Sequence, residues 1–131
     1  MTSCSQSDSP RVDQNAINGL QNGQPPQPSI LTYASLSNQA SAGWYNSPAY
    51  TECWGLTGGN TGNDCDEYPY RSTHEGGPGA SLRPVPSSDN QGEGNGISSF
   101  YPTCGITNND GKEFAVVPMT WESAPATFYY C

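Results

Sequence analysis

The sequence predicts a small α+β domain in which an antiparallel sheet and a few short helices are stapled by disulfides. Three observations support this fold class. The chain has 131 residues, which is enough for one modest core. Its 15 glycines and 12 prolines make up about a fifth of the residues and favour turns over long helices. Its five cysteines are more than a small cytosolic protein usually carries.

The cysteines contain no C-x-x-C pair of the kind that marks a zinc site or a redox motif. Disulfides are therefore expected, although the sequence alone does not choose the connectivity. Cys4 lies in a polar terminal segment and is expected to stay unpaired. We expect the two bridges to form among the remaining cysteines, which are Cys53, Cys65, Cys104 and Cys131.

Residues 1–28 are rich in Ser, Gln, Asn and Pro and predict a polar N-terminal arm, followed by one domain over residues 29–131. We expect the arm to be ordered only if it packs on the domain or is tied to it by Cys4, and to contribute little chemistry. The first residues lack the basic and then apolar pattern of a signal peptide, which fits a removed signal and an added Met1.

The first part of the domain is rich in β-branched and aromatic residues. Residues 29–36 predict a strand for that reason. The aromatic side chains that follow are expected to pack in the core, and these are Trp44, Tyr45, Tyr50 and Trp54.

Further strands are predicted after a glycine-rich loop at 57–63. The GGPG sequence at 76–79 forces a turn, and the two prolines of residues 80–86 suit an edge strand. Residues 108–118 predict a turn that leads into a buried strand, and residues 127–131 predict a last strand.

A helix is predicted over residues 88–100, where Ser88 or Asp89 can cap the first turn. Three glycines in its interior cost about 1 kcal/mol each, so the helix needs support from tertiary contacts or a metal. Asn90 and Glu93 are three residues apart, fall on one face of such a helix and both offer oxygen ligands. An exposed polar first turn explains them equally well.

The stretch DCDEYPYRSTHEGG, residues 64–77, gathers four carboxylates and the only histidine of the chain. In an extended chain Asp64 and Asp66 share one face. Cys65 and Glu67 then lie on the other. Two carboxylates on one face repel each other, which indicates a bound divalent cation or a carboxyl group with a raised pKa that accepts a proton. A solvated acidic loop is the alternative.

Other side chains of this stretch have two interpretations each. His74, beside Glu75, is either a general base oriented by a carboxylate or a surface imidazole. Tyr68 and Tyr70 are expected to pack in the core rather than to stack on nucleic-acid bases.

The chain carries 12 acidic and 4 basic residues and a formal charge of −8. This charge predicts repulsion from polyanions such as DNA and anionic membranes. No apolar run approaches the length of a membrane span.

Three blocks within residues 64–101 nevertheless match one known family. They are DCDEYP at 64–69, EGG at 75–77 and DN at 89–90, the last followed by a glycine-rich stretch. In these blocks the chain resembles the NucA/NucB family of small secreted deoxyribonucleases. The N-terminal third and the C-terminal tail have no motif that aligns.

The resemblance implies a metal-dependent, sequence-nonspecific extracellular endonuclease with a ββα-metal finger. In that finger two strands and a helix hold one Mg²⁺ or Mn²⁺ ion against the scissile phosphate, and a carboxylate replaces the usual histidine base. Carried onto this chain, Asp66 is the general base, and Asp64 or Glu67 adjusts its pKa. Asn90 and Glu93 hold the ion.

A nuclease of this charge needs local positive charge near the site. The ion and the side chains of Arg71 and Arg83 would supply it. His74 and Asp89 are further candidates for substrate binding. The expected partner is double- or single-stranded DNA. We expect the protein to act as a monomer and not to associate with a membrane.

The alternative is a secreted, disulfide-stapled binding module without catalysis. Such a module would recognise carbohydrate or protein through Trp44, Trp54, Trp121 and the tyrosines. It predicts no cleavage of DNA with any divalent ion.

Overall fold

The computed structural model describes residues 3–7, 10–22, 26–40, 42–57, 62–120 and 125–131. The helices are α1 (Pro10–Asn22), α2 (Pro48–Thr57) and α3 (Ser87–Thr103), with 3-10 turns at Leu36–Asn38 and Ala42–Asn46. The strands are β1 (Ser3–Ser7), β2 (Ile30–Thr32), β3 (Asn63–Tyr68), β4 (Ser81–Pro86), β5 (Glu113–Thr120) and β6 (Pro125–Tyr130). Helices together with antiparallel sheets confirm the predicted α+β class.

Four strands form an antiparallel sheet in the order β1-β6-β5-β2. In its central pair Val116 of β5 lies opposite Tyr129 of β6, and both side chains are buried. Leu31 of β2 lies opposite Phe114 of β5 and is buried as well. The strands predicted within 29–36, 108–118 and 127–131 are therefore confirmed, although β2 is shorter than its segment.

Helix α3 packs against these buried residues of the sheet. It is longer than the predicted 88–100. Ile97, Phe100 and Tyr101 are buried in the core cluster. Their spacing of three and four residues places them on one face of the helix. Burial of this face offsets the glycines of the first turns, because most helical stability in proteins comes from packing rather than propensity.

Strands β3 and β4 form a separate two-stranded antiparallel sheet, and β4 leads directly into α3. Asp66 lies opposite Arg83 in this pair. With only two strands, β4 lies at an edge, as its prolines predicted. The chain order is thus strand, strand, helix at the acidic segment.

The loop between β3 and β4 is fastened to β2. The carboxylate of Glu75 accepts hydrogen bonds from the backbone N–H and from the hydroxyl of Thr32, both at 2.8 Å. A Cβ at Gly76 would lie 2.6 Å from the Tyr70 carbonyl oxygen and 2.7 Å from the Tyr45 hydroxyl. The Glu-Gly-Gly block therefore has a structural role as an anchor of this loop.

Two disulfides link Cys53 to Cys65 and Cys104 to Cys131. Both bridges lie within the four cysteines that the sequence singled out. The first joins α2 to β3, and the second joins the end of α3 to the residue after β6. The side chain of Cys4 lies outside the described residues.

The segment expected as an N-terminal arm contributes a strand and a helix. Strand β1 pairs with β6 at the edge of the large sheet. Ala16 of α1 is buried in the main core. The segment therefore packs on the domain, and Asn15 of α1 hydrogen-bonds to Asp66 of the acidic strand.

A second cluster beside α2 contains Tyr45, Tyr50 and the Cys53–Cys65 bridge. The prediction that Trp54 packs in the core is wrong, since 42% of its side chain is exposed. Trp44 is partly buried against the cluster. Trp121 lies outside the described residues. No helix in the described ranges is both long and apolar enough to cross a membrane.

Candidate active site

A cleft of about 310 Å³ opens between α2, β3 and α3. Strand β3 contributes Asp66 and Glu67 to its wall, and α3 contributes Asn90. Helix α2 contributes Tyr50 and Trp54. Arg71 also lines the cleft, in the loop after β3. The cleft therefore combines carboxylates, an amide, aromatic rings and one guanidinium group.

The four residues at the centre of β3 divide between two directions, as the period of two predicts. Cys65 bonds to Cys53 of α2, and Glu67 accepts a hydrogen bond from Tyr50 of the same helix. Asp64 and Asp66 bond instead to α3 and α1. The sequence prediction that these two aspartates share a face is confirmed.

Asp66 is the most buried carboxylate of the segment, with 4% of its side chain exposed. Its Oδ2 accepts a hydrogen bond of 2.7 Å from Nδ2 of Asn15, which is itself buried. The hydroxyl of Ser81 donates to Oδ1 of Asn15 at 2.6 Å and fixes the orientation of the amide. A donated hydrogen bond stabilises the ionised carboxylate, which is the form that accepts a proton.

Glu67 lies in a more apolar setting against α2. Burial raises the pKa of its carboxyl group to about 7, although the hydrogen bond from Tyr50 and the charge of Arg71 both lower it. The Tyr50 hydroxyl donates to Oε1 of Glu67 at 3.2 Å. Burial also raises the pKa of Tyr50, so its hydroxyl keeps its proton and remains the donor. Glu67 can therefore gain or lose a proton near neutral pH.

Asp64 ties β3 to the start of α3. Its Oδ1 accepts from the Ser87 hydroxyl at 2.9 Å, and its Oδ2 accepts from Nδ2 of Asn90 at 3.4 Å. A carboxylate beside the first turn of a helix is favoured by the helix dipole. The contact positions Asn90 at the cleft, and the amide oxygen of Asn90 is not used by this bond.

The other predicted site residues lie outside the described lining of the cleft. His74 is exposed, and its Nε2 hydrogen-bonds with Oδ1 of Asn109 at 2.8 Å. Arg83 is exposed on β4, and Asp89 is partly buried in the first turn of α3. Glu93 belongs to α3, and its side chain lies outside the described residues. The expected packing of Tyr68 and Tyr70 is confirmed, since both are buried.

The cleft offers few of the ligand groups that a divalent ion needs. The described residues contain no group of three or more His, Cys, Asp or Glu side chains that could hold a metal. Asp66, Glu67 and Asn90 line the cleft, and each carries a side-chain oxygen. Mg²⁺ binds through as few as one or two carboxylates and keeps several waters. Asn90 is a lining residue on α3 that could contribute to such a site, and an ion bound there would keep most of its waters.

Sequence reasoning missed Asn15 and Tyr50. Asn15 lies 51 residues before Asp66, and no local pattern links the two. Tyr50 was assigned to the core without a role, and only the pairing of α2 with β3 brings it to Glu67. The Cys53–Cys65 spacing is the one signal that could have indicated this pairing.

Comparison with known proteins identifies the family. A search of curated proteins found no match. The family description "Deoxyribonuclease NucA/NucB" matches residues 16–117, which is more than half of the chain and contains the whole acidic segment. The chain therefore belongs to the NucA/NucB family of deoxyribonucleases.

Proposed function

We propose that this protein is a metal-dependent, sequence-nonspecific endonuclease that hydrolyses phosphodiester bonds of DNA. The observation that carries the proposal is the placement of Asp66. This carboxylate is buried, oriented by Asn15, and shares a cleft with Asn90 of the helix that follows the hairpin. Membership in a family of deoxyribonucleases supports DNA as the substrate.

Asp66 is assigned as the general base. It accepts the proton of a water molecule whose oxygen forms a bond to phosphorus. The phosphorus–oxygen ester bond then breaks and the leaving oxygen takes up a proton from solvent, which gives a phosphate monoester on one fragment and a hydroxyl group on the other. Glu67 is assigned to set the pH dependence, because its charge changes near pH 7 at the wall of the same cleft.

The proposed metal ligands are Asn90 and Glu93, one turn apart on α3. Mg²⁺ or Mn²⁺ at this position would neutralise charge on the phosphoryl group and on the leaving oxygen. Asp64 acts on the ligand rather than on the substrate, because it bonds to the amide of Asn90.

DNA binding has to overcome the negative charge of the protein. Arg71 lies in the wall of the cleft, and Arg83 lies opposite Asp66 on the exposed edge strand. We assign both to phosphate contacts, with His74 and Asp89 as further substrate contacts at the periphery. With so few basic side chains near the cleft, we expect weak DNA binding without sequence preference. We expect the protein to bind as a monomer.

The two disulfides support an extracellular location. Disulfides persist in oxidising compartments and are rare in the cytosol. A nuclease with this cross-linking is expected to act on DNA outside the cell.

Incubation of supercoiled plasmid with the protein tests the function directly. Nicked and linear products are expected with Mg²⁺ or Mn²⁺ and none with EDTA. A reaction that persists in EDTA would contradict the metal dependence. Intact plasmid across a range of divalent ions would contradict hydrolysis and favour the binding module.

A further inference from the structure

The indole ring of Trp54 lies at the rim of the cleft that holds Asp66. We propose that this ring stacks on an unpaired base of the DNA, so that the site binds single-stranded DNA in preference to duplex. The inference rests on the proposed nuclease function and adds a substrate preference to it.

Exposure of Trp54 is the first argument. Among the described residues, the large exposed hydrophobic side chains are Ile30, Trp54 and Val117. Trp54 alone of these three belongs to the described lining of the cleft. A Trp ring that is exposed and also lines a cleft offers an apolar face to a ligand in that cleft, and Trp is enriched at interfaces.

The ring is also held in place before any ligand arrives. Tyr50 lies one turn earlier on α2, and the two ring centroids are 6.3 Å apart at an interplanar angle of 71°. The Tyr50 hydroxyl in turn donates a hydrogen bond to Glu67. Cys53, the residue before Trp54, is bonded to β3. Little side-chain freedom is lost when such a ring binds a base.

A cation is fixed on the same wall. The guanidinium carbon of Arg71 lies 5.1 Å from the ring centroid of Tyr45 and 6.0 Å from that of Tyr50. Arg71 remains exposed and lines the cleft with Trp54. A stacking ring beside a cation matches a nucleotide, which presents a flat base and an anionic phosphate.

The charge of the protein limits how much electrostatic attraction can contribute to DNA binding. With a formal charge of −8 and four basic residues, counterion release from DNA supplies little affinity. Stacking does not depend on charge and tolerates every base, because each base has a π face. Inside a duplex both faces of a base are covered by its neighbours, and exposing one costs unstacking energy. Single strands avoid this cost.

The test is equilibrium binding, measured by fluorescence anisotropy with labelled single-stranded oligothymidylate and with a labelled duplex. The full chain carries Asp66→Asn so that cleavage does not interfere. Adding Trp54→Ala is expected to weaken single-strand binding by about 5- to 100-fold, the range for loss of one base–aromatic stack, and to leave duplex binding within about twofold. Trp54→Phe should restore most of the single-strand affinity.

The matched control is Ile30→Ala, because Ile30 is also 42% exposed but is not among the described residues that line the cleft. It should leave both affinities unchanged. Circular dichroism and melting temperature are compared for all variants, since loss of an exposed ring should leave the fold intact. Equal loss of affinity for both DNA forms, or no loss for either, would overturn the proposal.

Failure of this inference is distinguishable from failure of the proposed function. If the unmodified chain nicks plasmid and Trp54→Ala leaves the single-strand preference unchanged, the stacking proposal is refuted and the nuclease proposal stands. If the unmodified chain cleaves no DNA but Trp54 still governs single-strand binding, hydrolysis is refuted and the stacking site stands.

Discussion

The side-chain amide of Asn15 donates a 2.7 Å hydrogen bond to Oδ2 of Asp66, across 51 residues of sequence. Both side chains are buried, with 1% and 4% exposed. Nδ2 of Asn15 also lies 3.3 Å from the carbonyl oxygen of Asp66 and 3.2 Å from that of Ser81. One amide of α1 therefore joins both strands of the hairpin to the proposed base.

Replacement of Asn15 by alanine removes this support. A buried carboxylate and two carbonyl groups lose a donor, so the free energy of unfolding should fall by about 1–3 kcal/mol and cleavage should slow. Urea denaturation and plasmid cleavage check both effects. Asn18→Ala is the matched control, because Asn18 is exposed on the same helix and, among the described residues, hydrogen-bonds to the Ser81 hydroxyl and to Asn22 rather than to Asp66. Equal effects of the two variants would contradict a special role for Asn15.

Replacement of Asp66 by asparagine keeps the size of the side chain but removes the proton acceptor. Turnover should fall by about 10²- to 10⁴-fold with little change in metal affinity, and extra metal should not restore it. Asn90→Ala and Glu93→Gln should instead weaken metal binding and recover partly at high Mn²⁺, since Mg²⁺ loses its waters more reluctantly. Calorimetric titration of each variant with Mg²⁺ and Mn²⁺ measures the metal affinity and decides between these roles. Loss of metal binding in Asp66→Asn, with normal binding in the other two variants, would reverse the assigned roles.

His74 lies outside the described lining of the cleft and hydrogen-bonds with Asn109. His74→Ala should therefore retain activity within about tenfold, which is less than the loss expected for a general base. Initial rates of plasmid nicking, compared with those of Asp66→Asn, give the answer. A larger loss in a folded variant would move the base to His74.

Glu67 is expected to make stability depend on pH. Because its folded pKa of about 7 is above the ordinary value of 4.5, the folded protein holds this proton more tightly than the unfolded chain. The contribution of Glu67 to the free energy of unfolding is thus fully present below about pH 4.5 and is lost as pH rises to about 7. Urea denaturation at pH 5 and pH 8 should show a smaller difference in Glu67→Gln than in wild type. Glu113→Gln, at an exposed position of β5, should keep the wild-type difference.

Two glycines should respond to alanine in opposite directions. At Gly76 the added Cβ would meet the Tyr70 carbonyl oxygen at 2.6 Å, so Gly76→Ala should destabilise the protein and loosen the loop before β4. At exposed Gly92 of α3 a Cβ meets nothing within 4 Å, and Gly92→Ala should stabilise by about 0.5–1 kcal/mol. Thermal melting of both variants is the measurement. A stabilising Gly76→Ala would show that the loop has room that the structure lacks.

Local patterns in the sequence were sufficient for the framework of the site. The alternation of Asp64 and Asp66 with Cys65 and Glu67 follows from the period of two in a strand, and the structure has the same division. Prolines placed β4 at an edge for the same kind of local reason, because proline cannot donate to a sheet.

Contacts between distant elements could not be predicted from those patterns. The bond from Asn15 depends on where α1 packs, and residues 10–22 contain no motif that indicates this position. Trp54 was expected in the core because aromatic rings are usually buried, yet α2 turns it to the rim of the cleft. The raised pKa of Glu67 follows from its burial, which a sequence does not display.

The Cys53–Cys65 bridge gives the protein a built-in dependence on its surroundings. Cys53 directly precedes Trp54 on α2, and Cys65 directly precedes Asp66 on β3. The bridge therefore joins the two elements that carry these lining residues of the cleft. In a reducing cytosol this link cannot persist, and only noncovalent contacts such as the Tyr50–Glu67 hydrogen bond then hold α2 to the strand that carries the proposed base. For the proposed extracellular nuclease, α2 would then be fastened covalently beside the cleft only in an oxidising compartment.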